Sequence, residues 1–234
     1  MTETKTIRLW DLPVRLFHWT TVLLVAGLWV THVTDHMGLH IKLGLAMLFL
    51  VTFRILWGVL GSETARFASF VRGPAAIRAY LASGRKADGS PVVGHNPLGA
   101  LSVIGLIGIL AVQVGLGLFA SDTDGIYYGP LNQYVSYDRA ELLTHLHEFG
   151  FNLILLLVAV HLGAIAYYAV KKKDRLIPPM VTGKKTYAEP VEQPKGAPVW
   201  RLAIALLLAG ILTYWVGNGG HFIAPPKVTA DAGY

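Results

Sequence analysis

The chain of 234 residues contains no cysteine. Disulfides, thiolate metal ligands, iron–sulfur clusters and covalent C-x-x-C-H attachment of a haem are therefore all excluded. Charge is scarce as well, at 15% of residues against 53% hydrophobic, and so little polar material cannot cover a water-soluble globule. The hydrophobic residues gather in five long runs, Phe17–Val33, His40–Leu60, Pro97–Ala120, Leu142–Val170 and Trp200–Gly217. Each is long enough to cross or nearly cross a hydrocarbon core of about 30 Å. The flank of the first run lacks a small-residue cleavage pattern and the run carries His18 and Trp29, so it is expected to remain as a span rather than be removed as a signal peptide.

The Lys and Arg residues fall on alternate connections. Lys5, Arg8 and Arg15 precede the first run, and Arg66, Arg72, Arg78, Arg85 and Lys86 follow the second. Lys171, Lys172, Lys173, Arg175, Lys184, Lys185 and Lys195 follow the fourth. The other connections carry Asp35, Asp122, Asp124, Asp138 and Glu141 against Arg139. Positive-inside asymmetry predicts a cytoplasmic N-terminus and a C-terminus on the opposite, outer side of the membrane. The net charge of +6 then needs no nucleic-acid partner.

The expected fold is all-α: an integral membrane four-helix bundle plus a fifth C-terminal transmembrane helix. Residues 1–172 would form the bundle, 173–199 a cytoplasmic linker, 200–217 the fifth helix and 218–234 a periplasmic tail. Pro74 and Gly84 bracket a short helix, Pro74–Ser83, with Ile77, Tyr80 and Leu81 on one face, as expected for a helix lying at the headgroups. The Pro-rich basic stretch Ile177–Pro198 has no periodicity and reads as a flexible linker, which would leave the fifth helix an appendage.

Nine histidines in such a chain require sorting, because an ionisable side chain in a bilayer is costly and points to function. His147 and His161 are 14 residues apart on the fourth span, which returns them to within about 40° of one face and separates them by about 21 Å. One helix can thus ligate two metals at two depths. His18 enters from the side on which His161 leaves, and His40 and His147 both begin their spans at the other side, so the depth-matched pairs are His18 with His161 and His40 with His147. Each pair can place an imidazole on either face of a planar haem, and iron so ligated exchanges electrons rather than binding oxygen. His32 is also 14 residues from His18 and competes with His40. Two features favour His40: Gly44 beside it leaves room for a flat ring, and His32 is near the end of its helix. His36 and His221 are expected to be solvated, and His145 falls about 160° from His161 around the helix and should point away.

An ordered set of motifs carries a resemblance: Trp10-Asp11-Leu12-Pro13-Val14-Arg15-Leu16-Phe17-His18-Trp19, His40-Ile41-Lys42-Leu43-Gly44, Phe53-Arg54, Trp57-Gly58, Gly94-His95-Asn96-Pro97, His147-Glu148 and His161. Over about residues 8–170 the chain resembles the bacterial cytochrome b561 family, which includes the b-type subunits of membrane hydrogenases and formate dehydrogenases and the di-haem superoxide oxidases. The resemblance implies two haem b groups, held by His18 with His161 and His40 with His147. The linker and fifth helix lie outside it.

Arg54 lies 14 residues past His40, on the same face one haem level deeper, where its charge could meet a propionate; a snorkelling arginine is the alternative. Arg15 has the same potential role. Gly99, Gly105, Gly108, Gly115 and Gly117 thin the third span, for close packing or for haem clearance. His95, Asn96 and Arg15 suit a quinone at the inner end, though His95 and Asn96 could simply cap the third span. The expectation is a di-haem b membrane cytochrome that moves electrons between a periplasmic partner, a cytochrome or a dehydrogenase- or hydrogenase-type subunit, and the quinone pool. It would act as an electron-transfer subunit or a quinone-linked oxidoreductase. A self-contained superoxide:quinone oxidoreductase is one alternative, disfavoured by the acidic outer loops, and a nonredox metal-ion or proton transporter is another.

Overall fold

The computed structural model describes residues 4–85, 90–122 and 124–222. Lys86 of the basic connection and the tail beyond Phe222 lie outside them. The elements are β1 (Lys5–Arg8), α1 (Leu12–Val33), α2 (Met37–Leu60), α3 (Phe67–Phe70), α4 (Pro74–Ser83), α5 (Pro97–Gly117), α6 (Tyr137–Val170), α7 (Ile177–Thr182), β2 (Lys184–Tyr187) and α8 (Val199–Gly217), with a short 3-10 turn at Asn132–Tyr134. Five of these, α1, α2, α5, α6 and α8, are long and apolar enough to cross a membrane. Large apolar side chains on them, among them Leu23, Leu156, Val160 and Leu207, are exposed on the outside of the bundle, where lipid rather than water is the matching solvent.

Local chemistry explains where the helices begin. At α1 the Asp11 Oδ1 accepts from the Val14 N–H at 2.8 Å, and at α5 the Asn96 Oδ1 accepts from the Gly99 N–H at 2.8 Å. Proline sits in the first turn of α1, α4 and α5, where a missing N–H leaves no acceptor unsatisfied. The helix read over Pro74–Ser83 has those bounds, closed by Gly84 at φ 70°.

Helices α1 and α5 both pack on α2, and α6 packs on α5. At mid-depth Met47 and Val51 of α2, Leu110 of α5 and Ile154 of α6 form the core, with Leu24, Val25 and Leu28 of α1 against it. Helices α1 and α6 are not among the closely packed pairs.

The fifth span packs along α2. Ala205 and Ala209, one turn apart on α8, let it approach Phe53 and Trp57 of α2 in a core shared with Val14 and Ala65. At one end Arg201 donates to the Leu60 carbonyl at 3.4 Å, while Glu63 and Lys195 exchange hydrogen bonds of 2.9 Å. At the other, Gln133 and Tyr134 donate to the Gly219 carbonyl at 2.8 and 2.9 Å.

The stretch read as an irregular linker contains α7 and β2. Strand β2 pairs antiparallel with β1, Lys5 opposite Tyr187 and Arg8 opposite Lys184. Beneath it Ile7, Leu9 and Val191 form a small core with Trp10, Val93 and Tyr187. Gly183 makes the turn between α7 and β2 at φ 79°, its carbonyl accepting from the Leu9 and Trp10 N–H groups. A Cβ there would be 2.9 Å from the Trp10 carbonyl oxygen, so only glycine fits.

Candidate functional site

The bundle has an acidic end, with the α1–α2 and α5–α6 connections, and a basic end, with the N-terminus, α3, α4, α7 and the two strands. Functional side chains cluster at both.

At the acidic end His40, in the first turn of α2, faces His147 of α6 with ring centroids 6.2 Å apart and planes at 81°. Their Nδ1 atoms are anchored on main-chain oxygens, His40 on Leu28 of α1 at 3.0 Å and His147 on Gln113 of α5 at 2.9 Å. A carbonyl only accepts, so each Nδ1 is the N–H donor and each Nε2 keeps its lone pair for a metal. Thr31 adds a 3.4 Å contact to His40 Nδ1 while donating to the Gly27 carbonyl at 2.9 Å.

Gln113 is a residue that sequence reasoning missed. It is the one amide in a span whose other polar side chain is Ser102, and such a side chain within a membrane helix signals function. Its Nε2 donates to the His147 carbonyl at 2.8 Å as its own carbonyl accepts from the His147 ring, so the two residues clasp α5 to α6. Gly117 makes room for that ring: an added Cβ would be 2.9 Å from His147 Cε1. Elsewhere the close-packing account of the glycines does not hold, because a Cβ at Gly44, Gly105, Gly108 or Gly115 would meet no protein atom within 4 Å.

The other acidic-end histidines separate by environment. The ring of His32 is 6.2 Å from that of His40 but is exposed. His36 turns its Nδ1 back to the Thr34 carbonyl at 2.7 Å, and His145 points out toward Glu148 at 3.5 Å. His221 is exposed. Among the described residues no three His, Cys, Asp or Glu side chains converge as a metal-ion site.

At the basic end His18 of α1 and His161 of α6 lie within electrostatic reach of each other, on helices that are not among the closely packed pairs. His161 Nδ1 is 3.3 Å from the Ser102 hydroxyl, whereas His18 Nδ1 is buried with no hydrogen-bond partner. Arg54 does not snorkel. It is 2% exposed, its guanidinium lies 5.0 Å from the Phe67 ring centroid and 6.0 Å from that of Phe17, and it donates to the Ala65 carbonyl at 3.3 Å. Its electrostatic neighbour Asp11 is occupied, accepting from Val14, from Trp57 Nε1 at 2.9 Å and from Ser62 Oγ at 2.6 Å. A guanidinium carries five N–H donors, and one long hydrogen bond leaves capacity for an anion.

Arg15 is drawn toward α7 and donates to the Val181 carbonyl at 2.6 Å, while its Nε is buried without a partner. Asn96 is committed to two bonds, the cap to Gly99 and a donation to the Tyr168 hydroxyl at 2.9 Å. His95 is half-buried. Its ring is 4.5 Å from both Trp10 and Phe70, and its Nδ1 is buried and unpartnered. Burial, with the nearby Arg54 charge, pushes its imidazole down to about 3, so it is neutral at physiological pH. It lines a cavity of about 1220 Å³ that also reaches Val59, Phe70, Arg66 and Arg72.

The architecture and the paired histidines define a helical membrane protein equipped to hold a planar metal cofactor. The family model for prokaryotic cytochrome b561 matches residues 9–183, most of the chain, and the protein belongs to that family. It is a multi-pass bacterial membrane b-type cytochrome of electron transfer, and its family binds haem b. No curated protein and no solved structure matched the chain. The residues present fit the cofactor: His40 and His147 are ring neighbours whose Nδ1 atoms are both anchored on carbonyls, which leaves each an Nε2 lone pair for a metal.

Proposed function

We propose that the chain holds two haem b groups, one between His40 and His147 and one between His18 and His161, and moves electrons between a redox partner at the acidic end and the quinone pool at the basic end. The observation that carries the reading is the adjacent His40–His147 pair, with both Nδ1 atoms anchored and both Nε2 atoms left for iron. When bound, each haem would supply a one-electron iron couple, held by its pair of imidazoles. The chain's own residues do the rest. The Leu28 and Gln113 carbonyls hold the two outer imidazoles in one tautomer, and Arg54 offers donors to a propionate of the inner group. His40 is preferred to His32 because it is anchored and half-buried while His32 is exposed.

Quinone reacts, in this reading, in the cavity beside His95, whose neutral ring can hydrogen-bond a quinone carbonyl. Arg15 and Asn96 contribute less than the motif suggested, being engaged by Val181 and Tyr168. The Lys and Arg distribution supports a cytoplasmic basic end. The acidic end suits a cationic periplasmic cytochrome or subunit better than an anion such as superoxide. Pyridine haemochrome analysis of the purified protein should give two haems per chain, and one or none would defeat the assignment.

A further inference from the structure

At the basic end α6 carries Tyr168 seven residues beyond His161, which puts it on nearly the same helix face and about 10 Å nearer the surface. Its hydroxyl lies 2.8 Å from the Tyr80 hydroxyl of α4 and accepts from Asn96 Nδ2 at 2.9 Å. Asn96 is oriented by its capping bond to Gly99, so its amide is the donor to Tyr168. Either tyrosine can donate to the other, so the pair can pass a proton in either direction.

Tyr80, Asn96 and Tyr168 line a cavity of about 320 Å³, whose other walls include Asp174, Lys185 and Tyr187. At roughly 30 Å³ per molecule such a space holds about ten waters. Asp174 and Lys185 pair at 2.8 Å at its edge, the Asp174 side chain 37% exposed. Burial, followed by the bond to Tyr168, raises Tyr80 above the ordinary phenol range and keeps its proton on.

We infer that Tyr80 and Tyr168 relay protons from water at the basic end to the ligand reduced there. The inference rests on the quinone reading above. Reduction of a quinone to a quinol takes two electrons and two protons. The electrons arrive through the bundle, and each proton enters from this smaller cavity, which shares the walls Pro91, Val92 and Gly94 with the cavity beside His95, each hydroxyl releasing its own proton as it receives another. The relay leaves both tyrosines unchanged after every turnover.

The test uses the full-length haem-loaded protein, chemically reduced and then mixed with a short-chain ubiquinone analogue or with ferricyanide, which accepts an electron without a proton. Tyr168→Phe and Tyr80→Phe are each expected to slow haem reoxidation by the quinone by at least about tenfold. The solvent deuterium isotope effect should rise, with the haem spectrum and the ferricyanide rate unchanged. Unchanged quinone rates in both variants would overturn the relay, as would equal slowing with both oxidants, since that reports a structural lesion. A wild-type protein that ferricyanide oxidises and the quinone does not would overturn the quinone reading and the relay with it.

Discussion

The two ends of the bundle anchor their histidines differently. At the acidic end His40 and His147 are tied to backbone oxygens of α1 and α5, so the site is held by helix main chains that move little. Among the described residues, His18 Nδ1, Arg15 Nε and His95 Nδ1 at the basic end are buried without partners, and at the acidic end Gln113 Oε1 is too. A buried polar atom left unsatisfied costs on the order of 1–3 kcal/mol, and such a cost persists where a ligand or water completes the shell. The acidic-end imidazoles are thus oriented by the protein itself, whereas His18 and His95 leave a buried ring nitrogen for what binds.

The largest effect that can break this comparison is loss of a ligand pair. Replacing His40 or His147 with alanine is expected to halve the haem content while the remaining haem keeps its low-spin spectrum, and His18→Ala or His161→Ala should remove the other. If His32→Ala halves the content and His40→Ala does not, the acidic site belongs to α1.

The next effect is on orientation. Gln113→Leu removes the clasp on the His147 carbonyl, and Gly117→Val drives a side chain into the His147 ring; both should loosen the acidic-end haem by about 10- to 100-fold in haem-transfer assays. The basic-end haem should be untouched.

Asp11→Ala tests the basic end's frame. It deletes the α1 cap and the acceptor for Trp57 and Ser62, a loss of about 2–4 kcal/mol, seen as a lower unfolding midpoint that Asp11→Asn only partly restores.

The smallest effect concerns pH. His95 falls from an ordinary 6.5 to about 3 on folding, so below pH 6.5 the unfolded chain binds a proton that the folded chain refuses. Its share of stability is complete above that value and declines as pH drops toward 3. Thermal unfolding from pH 8 to 4.5 should therefore fall less steeply for His95→Phe than for the wild type.

The spans and the short helix Pro74–Ser83 were legible in the sequence because hydropathy, proline and glycine act locally. Depth matching of His40 with His147 was legible too, since a rise of 1.5 Å per residue makes depth a matter of counting. His40 was preferred to His32 on Gly44 and on the place of His32 near its helix end, but the Leu28 carbonyl that anchors His40 belongs to another helix and was not legible. The packing of α8 on α2 rests on Ala205 and Ala209, whose small size reads from sequence as nothing in particular. The β1–β2 pairing joins residues about 180 positions apart, in strands too short to announce themselves. The sequence by itself thus determined which segments enter the membrane and how deep each histidine lies, as these follow from composition and helical rise. Only the tertiary structure decided which ring nitrogens are anchored, which charges are engaged and what the last helix packs on, because those depend on contacts between segments that no local pattern encodes.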